Sequence, residues 1–181
     1  MTRLILVAAL AFAGIVRAQD DSKVPEPVKP VAQHAFLKQF AGEWECETEC
    51  FMPGGPAQKS KGSMTGTMVG DLWAILAVKG DMMGMPYHGQ GTFGYDPEKK
   101  KYIGTWVDSM QNHIWKYEGK VEGNKLILDS EGPCPSALGK MMKARDTWEF
   151  KSKDQLVLTG EMEGDDGKMT KGMVATCNRK K

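Results

Sequence analysis

The sequence predicts an all-β fold, an antiparallel up-and-down barrel of about ten strands with one N-terminal capping helix. Three observations predict it. First, "GEWECETECF" alternates strictly, with Glu43, Glu45, Glu47 and Glu49 on one face and Trp44, Cys46, Thr48 and Cys50 on the other. Successive strand side chains point to opposite sides, so this segment has a wet face and a buried face. Second, further strand candidates follow in close order, near 59–69, 72–81, 86–95, 101–108, 113–121, 125–131, 141–151, 155–163 and 168–178. Third, the joints carry hairpin chemistry: Asp96-Pro97, Gly123-Asn124, Asp154 and Asp166-Gly167. Short turns make neighbours in sequence antiparallel neighbours in the sheet. A meander this long curls and closes to remove its exposed edges.

Ahead of the strands, Met1-Thr2-Arg3 is a short positive start and Leu4 to Val16 is an uncharged apolar run. That run is shorter than the about 20 apolar residues a membrane-spanning helix needs. Val16 and Ala18 then stand at the −3 and −1 positions of a cleavage site, so residues 1–18 read as a secretory signal peptide cut before Gln19. The expectation is an exported protein, periplasmic or extracellular, without a membrane span. Residues 19–31 hold Pro25, Pro27 and Pro30 and read as an extended linker. Residues 32–181 form one domain, large enough to bury about two-thirds of its unfolded surface. In "VAQHAFLKQFAG", Val31, Ala35, Leu37 and Phe40 follow a helical stripe that Gly42 ends. This helix is expected to cap an open barrel end and to carry His34 near the surface. Net charge is +1 and dispersed, and no basic stripe exists, which excludes a nucleic-acid partner.

The stretches "FLKQFAGEWE", "GQGTFGYDPEKKKYIGTWVDSM", "KYEGKV" and the closing "CNRKK" resemble domain-of-unknown-function family 1579, whose members look calycin-like. The resemblance runs over nearly all of residues 34–181 and implies a calycin-like barrel without an established activity. The "GEW" start also resembles the first strand of lipocalins. There, an arginine late in the chain packs over the tryptophan, and the resemblance assigns that role to Arg179 over Trp44. If those two face each other across a closing antiparallel pair of first and last strands, Cys46 faces Cys177. A disulfide between them then follows in an exported protein. Cys50 and Cys134 are left without an assigned partner.

Function is read from the faces. Tyr87 and Phe93 share one face of "YHGQGTFGY"; Tyr102, Trp106 and Asp108 share one of "KYIGTWVDS"; His113, Trp115 and Tyr117 share one of "HIWKYEG". Glycines 89, 91 and 104 remove side chains from that interior, leaving either tight packing or a cavity. The first reading is therefore a binding module for a small apolar or amphipathic molecule. Its walls are Tyr87, Phe93, Trp106, Trp115 and Tyr117, its polar contact is His113 or Asp108, and it needs no cofactor. A void above about 300 Å3 would favour it. The second reading is a small hydrolase or isomerase using Asp108 and His113 as an acid–base pair. The motifs G-x-S-x-G and H-E-x-x-H are absent, which counts against an enzyme. The third is a copper or haem handler. Met83, Met85 and His88 are its soft and imidazole ligands, if a turn at Gly84-Met85-Pro86 gathers them. The thirteen methionines are scattered, which favours ordinary gap-filling.

Overall fold

A computed structural model describes residues 26–52, 54–134, 139–164 and 166–181. The segment 1–18 read as a signal peptide, and residues 19–25 of the linker, lie outside the described residues. Ten strands follow one another: β1 (Gly42–Cys50), β2 (Gln58–Val69), β3 (Trp73–Met82), β4 (Met85–Asp96), β5 (Lys101–Asp108), β6 (Gln111–Glu122), β7 (Lys125–Pro133), β8 (Met141–Ser152), β9 (Gln155–Glu163) and β10 (Met169–Arg179). Each pairs antiparallel with the next, and β10 returns to β1, so the barrel is closed and no edge remains. Strand ends fall within two residues of the sequence expectation.

The plugged end is built by α1 (His34–Leu37) and a 3-10 turn at Lys38–Phe40. The expected helical stripe is corrected here. Val31 and Ala35 are exposed, and the buried residues are His34, Leu37 and Phe40, three apart. In a 3-10 turn residues i and i+3 eclipse, so this spacing gives one inward face. His34 is also corrected from surface to core. Its Nδ1 accepts a hydrogen bond from the Val31 N–H at 3.0 Å, and its ring meets Tyr95 edge-on at 5.8 Å. Phe40 enters the barrel and touches Phe150, Trp148 and Phe93 at 5.0, 5.5 and 6.0 Å. Such aromatic pairs add to area burial.

The seam sets the register. Trp44 lies opposite Arg179 and Cys46 opposite Cys177, and the two cysteines are bonded with Cα atoms 4.0 Å apart. The Arg179 guanidinium sits 4.0 Å over the Trp44 ring. It donates to the carbonyls of Ala41, Gln39 and Lys153, so it ties β10 to the plug and to the β8–β9 turn. Trp44 Nε1 donates to the Phe40 carbonyl at 3.0 Å. Gly42 begins β1 at φ 117°, where a Cβ would stand 2.4 Å from the Arg179 guanidinium. Both its conformation and its neighbour demand glycine.

Candidate functional site

At the end opposite the plug, the barrel opens between the turns β1–β2, β3–β4, β5–β6, β7–β8 and β9–β10. The glycines expected to thin the interior mostly serve as slots for rings. A Cβ at Gly89 or Gly91 would strike the Trp106 ring at 2.5 or 2.6 Å. One at Gly104 would strike Phe93 at 2.5 Å, and one at Gly132 would strike Trp115 at 2.3 Å. Aromatic rings from one strand thus lie on bare backbone of the next. Among the described residues an interior cavity of about 70 Å3 remains, well under the roughly 300 Å3 set for a drug-sized site. Its walls include Tyr87, Trp106, Trp148, Met82, Met173 and the Cys46–Cys177 bridge.

Two of the sequence candidates line this cavity. Tyr87 and Trp106 face each other across β4 and β5, with Trp106 Nε1 donating to the Tyr87 hydroxyl at 3.2 Å. Burial, and then the charge of Asp108, hold the Tyr87 hydroxyl well above its ordinary range, so it stays a neutral donor. Phe93 is fully buried in the packed middle of the barrel, and Trp115 is buried over Gly132; neither lines the cavity. Tyr117 does not line it either. Its hydroxyl donates to Asp146 Oδ2 at 2.7 Å, and burial followed by the Asp146 charge pushes its own ionisation far up.

The proposed Asp108–His113 acid–base pair is corrected. Asp108 Oδ1 accepts the Met110 N–H at 2.9 Å, which closes the β5–β6 turn. His113 Nε2 lies 3.4 Å from the Glu131 carbonyl, and its ring stands edge-on to Trp115 at 5.2 Å. Each side chain is committed to a separate neighbour. The soft-ligand grouping is corrected too. The β3–β4 turn falls at Met83-Gly84, where Met83 has φ 54° and Gly84 has φ 79°, and Met82 pairs with Met85. Met83 and Met85 are exposed. His88 is exposed at a position opposite Lys79, on the face of β4 away from Tyr87. Strand alternation therefore sends Met85 and His88 to opposite sides.

Sequence reasoning missed two residues of the cavity wall, Trp148 and Met173, and a carboxylate outside that wall, Asp146. Trp148 Nε1 is a buried donor with no partner, on a residue that lines the cavity. Asp146 stands two residues earlier on the same inward face, and burial raises its carboxyl from 3.8 to about 6 although the Tyr117 hydrogen bond pulls the other way. Met173 borders both: a Cβ at Gly160 would lie 2.8 Å from Met173 Cγ and 3.3 Å from Asp146 Oδ1. The signal was present in "MMKARDTWEF", where Met142, Ala144, Asp146, Trp148 and Phe150 share a face and one is a carboxylate. A second hollow of about 390 Å3 lies between β7, β8 and the β9–β10 turn. Its walls are ion pairs, Arg145–Asp129 at 2.7 Å and Lys143–Glu163 at 3.7 Å.

A family model described as "Protein of unknown function (DUF1579)" matches residues 29–179. The chain belongs to the DUF1579 family. No curated protein matches it. Among solved structures, this DUF1579 barrel is similar to Rv2717c from M. tuberculosis, with 12% identity and a TM-score of 0.58 over 84% of this chain and 100% of the other. It is also similar to the S-type phycobiliprotein lyase CPES from Guillardia theta, with 11% identity and a TM-score of 0.56 over 84% of this chain and 94% of that one. At these identities the likeness is one of fold.

Proposed function

We propose that this protein is an exported binding barrel for a small apolar or amphipathic molecule, held at the open end against Tyr87, Trp106 and Trp148. One observation carries the reading: the closed barrel is plugged by aromatic residues at one end and keeps a hollow beside Tyr87, Trp106 and Trp148 toward the other, which at about 70 Å3 is smaller than the void the sequence reading called for. Concave, mostly apolar sites with few polar groups are the usual form of small-molecule sites. At about 15 Å3 per water this space takes roughly five waters, so it suits a small molecule or the inner end of a longer one. Met82 and Met173 in the wall are flexible enough to enlarge it. Export is supported by the pattern of residues 1–18 and by the Cys46–Cys177 bridge, a kind of bond that persists mainly in oxidising compartments. Mass mapping of protein recovered from its host should find Gln19 as the first residue.

The test of binding is tryptophan fluorescence under titration with Nile red, a neutral apolar dye. Saturable quenching is expected, weakened in Trp106→Ala and unchanged in Trp73→Phe, since Trp73 lies outside on Gly94. Quenching that fails to saturate, or that survives Trp106→Ala unaltered, would overturn the reading.

A further inference from the structure

We infer that the molecule held in the barrel presents a neutral carbonyl oxygen to the Trp148 indole N–H, so that the ligand class is a small uncharged carbonyl compound with an apolar body. This deepens the binding reading above and rests on it. Trp148 is 3% exposed, lines the hollow and carries a buried N–H without a partner. Its neighbours cannot answer that donor. Leu126 of β7 and Leu158 of β9 lie directly opposite it on the flanking strands. Phe40 of the plug and Phe93 of β4 stand edge-on to it at 5.5 and 5.9 Å. All four side chains are hydrocarbon. Asp146, two residues back, takes the Tyr117 hydroxyl instead. The hollow is the side of the ring that these neighbours leave, and an acceptor has to come from there.

The rest of the wall decides the charge of the ligand. Lys61, Lys79 and Asp81 border the hollow, but all three stand at exposed, outward strand positions. Lys61 reaches Glu47 at 3.5 Å on the outer surface, and Asp81 Oδ1 accepts the Gly84 N–H at 2.7 Å. Among the described residues of the wall no charged side chain projects inward, so neither a cation nor an anion finds a counter-charge there. A buried charge without one is costly. What the wall offers is donors. The Tyr87 hydroxyl oxygen accepts from Trp106 Nε1 at 3.2 Å, which leaves its hydrogen to donate. A carbonyl oxygen has two lone pairs and brings no hydrogen of its own, which matches such a wall. A buried donor left unmade costs more than a made bond gains. A water can meet Trp148 between ligands, but a ligand that displaces it loses affinity unless it reproduces the bond. The hollow therefore discriminates against apolar molecules that lack an acceptor.

The experiment uses the chain from Gln19 onward and three small molecules of similar shape: cyclopentanone, methylenecyclopentane, in which a CH2 group replaces the oxygen, and cyclopentanecarboxylate. Affinities are measured by calorimetry on the parent and on Trp148→Phe. The alkene is the more hydrophobic, so the readout is the ketone-to-alkene affinity ratio, which should fall about tenfold in Trp148→Phe. Space added by the smaller ring acts on both molecules and cancels in that ratio. The carboxylate should bind weakest. A second measurement is made on the parent: the Trp148 indole N–H signal in a nitrogen–proton NMR spectrum should lie further downfield with saturating cyclopentanone than with methylenecyclopentane. If Trp148→Phe does not fold, this shift decides. An unchanged ratio, an indole signal that both molecules leave alike, tightest binding by the carboxylate, or no binding of cyclopentanone each overturns the proposal. The binding reading itself stands or falls separately, on the Nile red titration.

Discussion

Reduction of the Cys46–Cys177 bridge is the perturbation with the largest calculable effect on stability. The bond joins residues 131 apart and so encircles nearly the whole barrel. In the chain-entropy account, a loop of that size restricts the unfolded chain by about 5 kcal/mol at room temperature. The assay is equilibrium urea unfolding of oxidised and reduced protein in a Cys50→Ser, Cys134→Ser background, where no other thiol can exchange. With a slope of about 2 kcal/mol per molar urea, the midpoint should fall by about 2.5 M on reduction. The slope itself should rise, because the reduced chain expands further when it unfolds and exposes more surface. A midpoint change under about 0.5 M would show that strand pairing alone holds the seam. A large change with an identical slope would place the stabilisation in the folded state and refute the entropic argument.

The other predictions concern packing, charge and the plug. Gly132→Ala drives a methyl into the Trp115 ring, 2.3 Å from the new atom, and should lower stability by about 1–3 kcal/mol in thermal unfolding. Asp146 has a folded-state pKa raised by burial from 3.8 to about 6, so the folded chain binds a proton more readily than the unfolded one. Its burial therefore costs nothing below about pH 4, costs progressively more as pH rises toward 6, and reaches about 3 kcal/mol above that. Asp146→Asn should accordingly raise stability at pH 7–8 and flatten the pH dependence between about 4 and 6; a variant less stable than the parent at pH 8 would contradict this. Arg179→Lys keeps the charge but loses the fork that reaches three carbonyls, and should cost about 2–4 kcal/mol in urea unfolding, with greater hydrogen exchange across residues 38–42.

The architecture was legible because its signals are local. Alternation in "GEWECETEC" reports both faces of β1 directly, and Gly123-Asn124 reports a turn without reference to anything distant. The seam register was legible only through a resemblance, since the Trp44–Arg179 pair spans the entire domain. What stayed hidden depends on cross-strand neighbours. Gly89 and Gly91 read as missing volume until Trp106 of the next strand is laid over them. His34 read as a surface residue because α-helical spacing was applied to a segment whose buried positions are three apart. The Asp108–His113 pairing looked close in sequence, yet the turn between them spends the aspartate on its own backbone. Asp146 and Tyr117 are joined across 29 positions, a separation that no periodicity reports.

The placement of the seam governs how the molecule bears load. β1 starts and β10 finishes at the plugged end, where Trp44 faces Arg179. Tension applied between the two ends of the folded chain therefore peels this strand pair like a zipper. It passes Trp44–Arg179 and Glu45–Asn178 and stops at the covalent link between Cys46 and Cys177. Everything between those cysteines, cavity and mouth included, lies outside the path of the force. Pulled by its ends, the oxidised barrel should lengthen only by its tails, and the reduced one should unravel strand by strand.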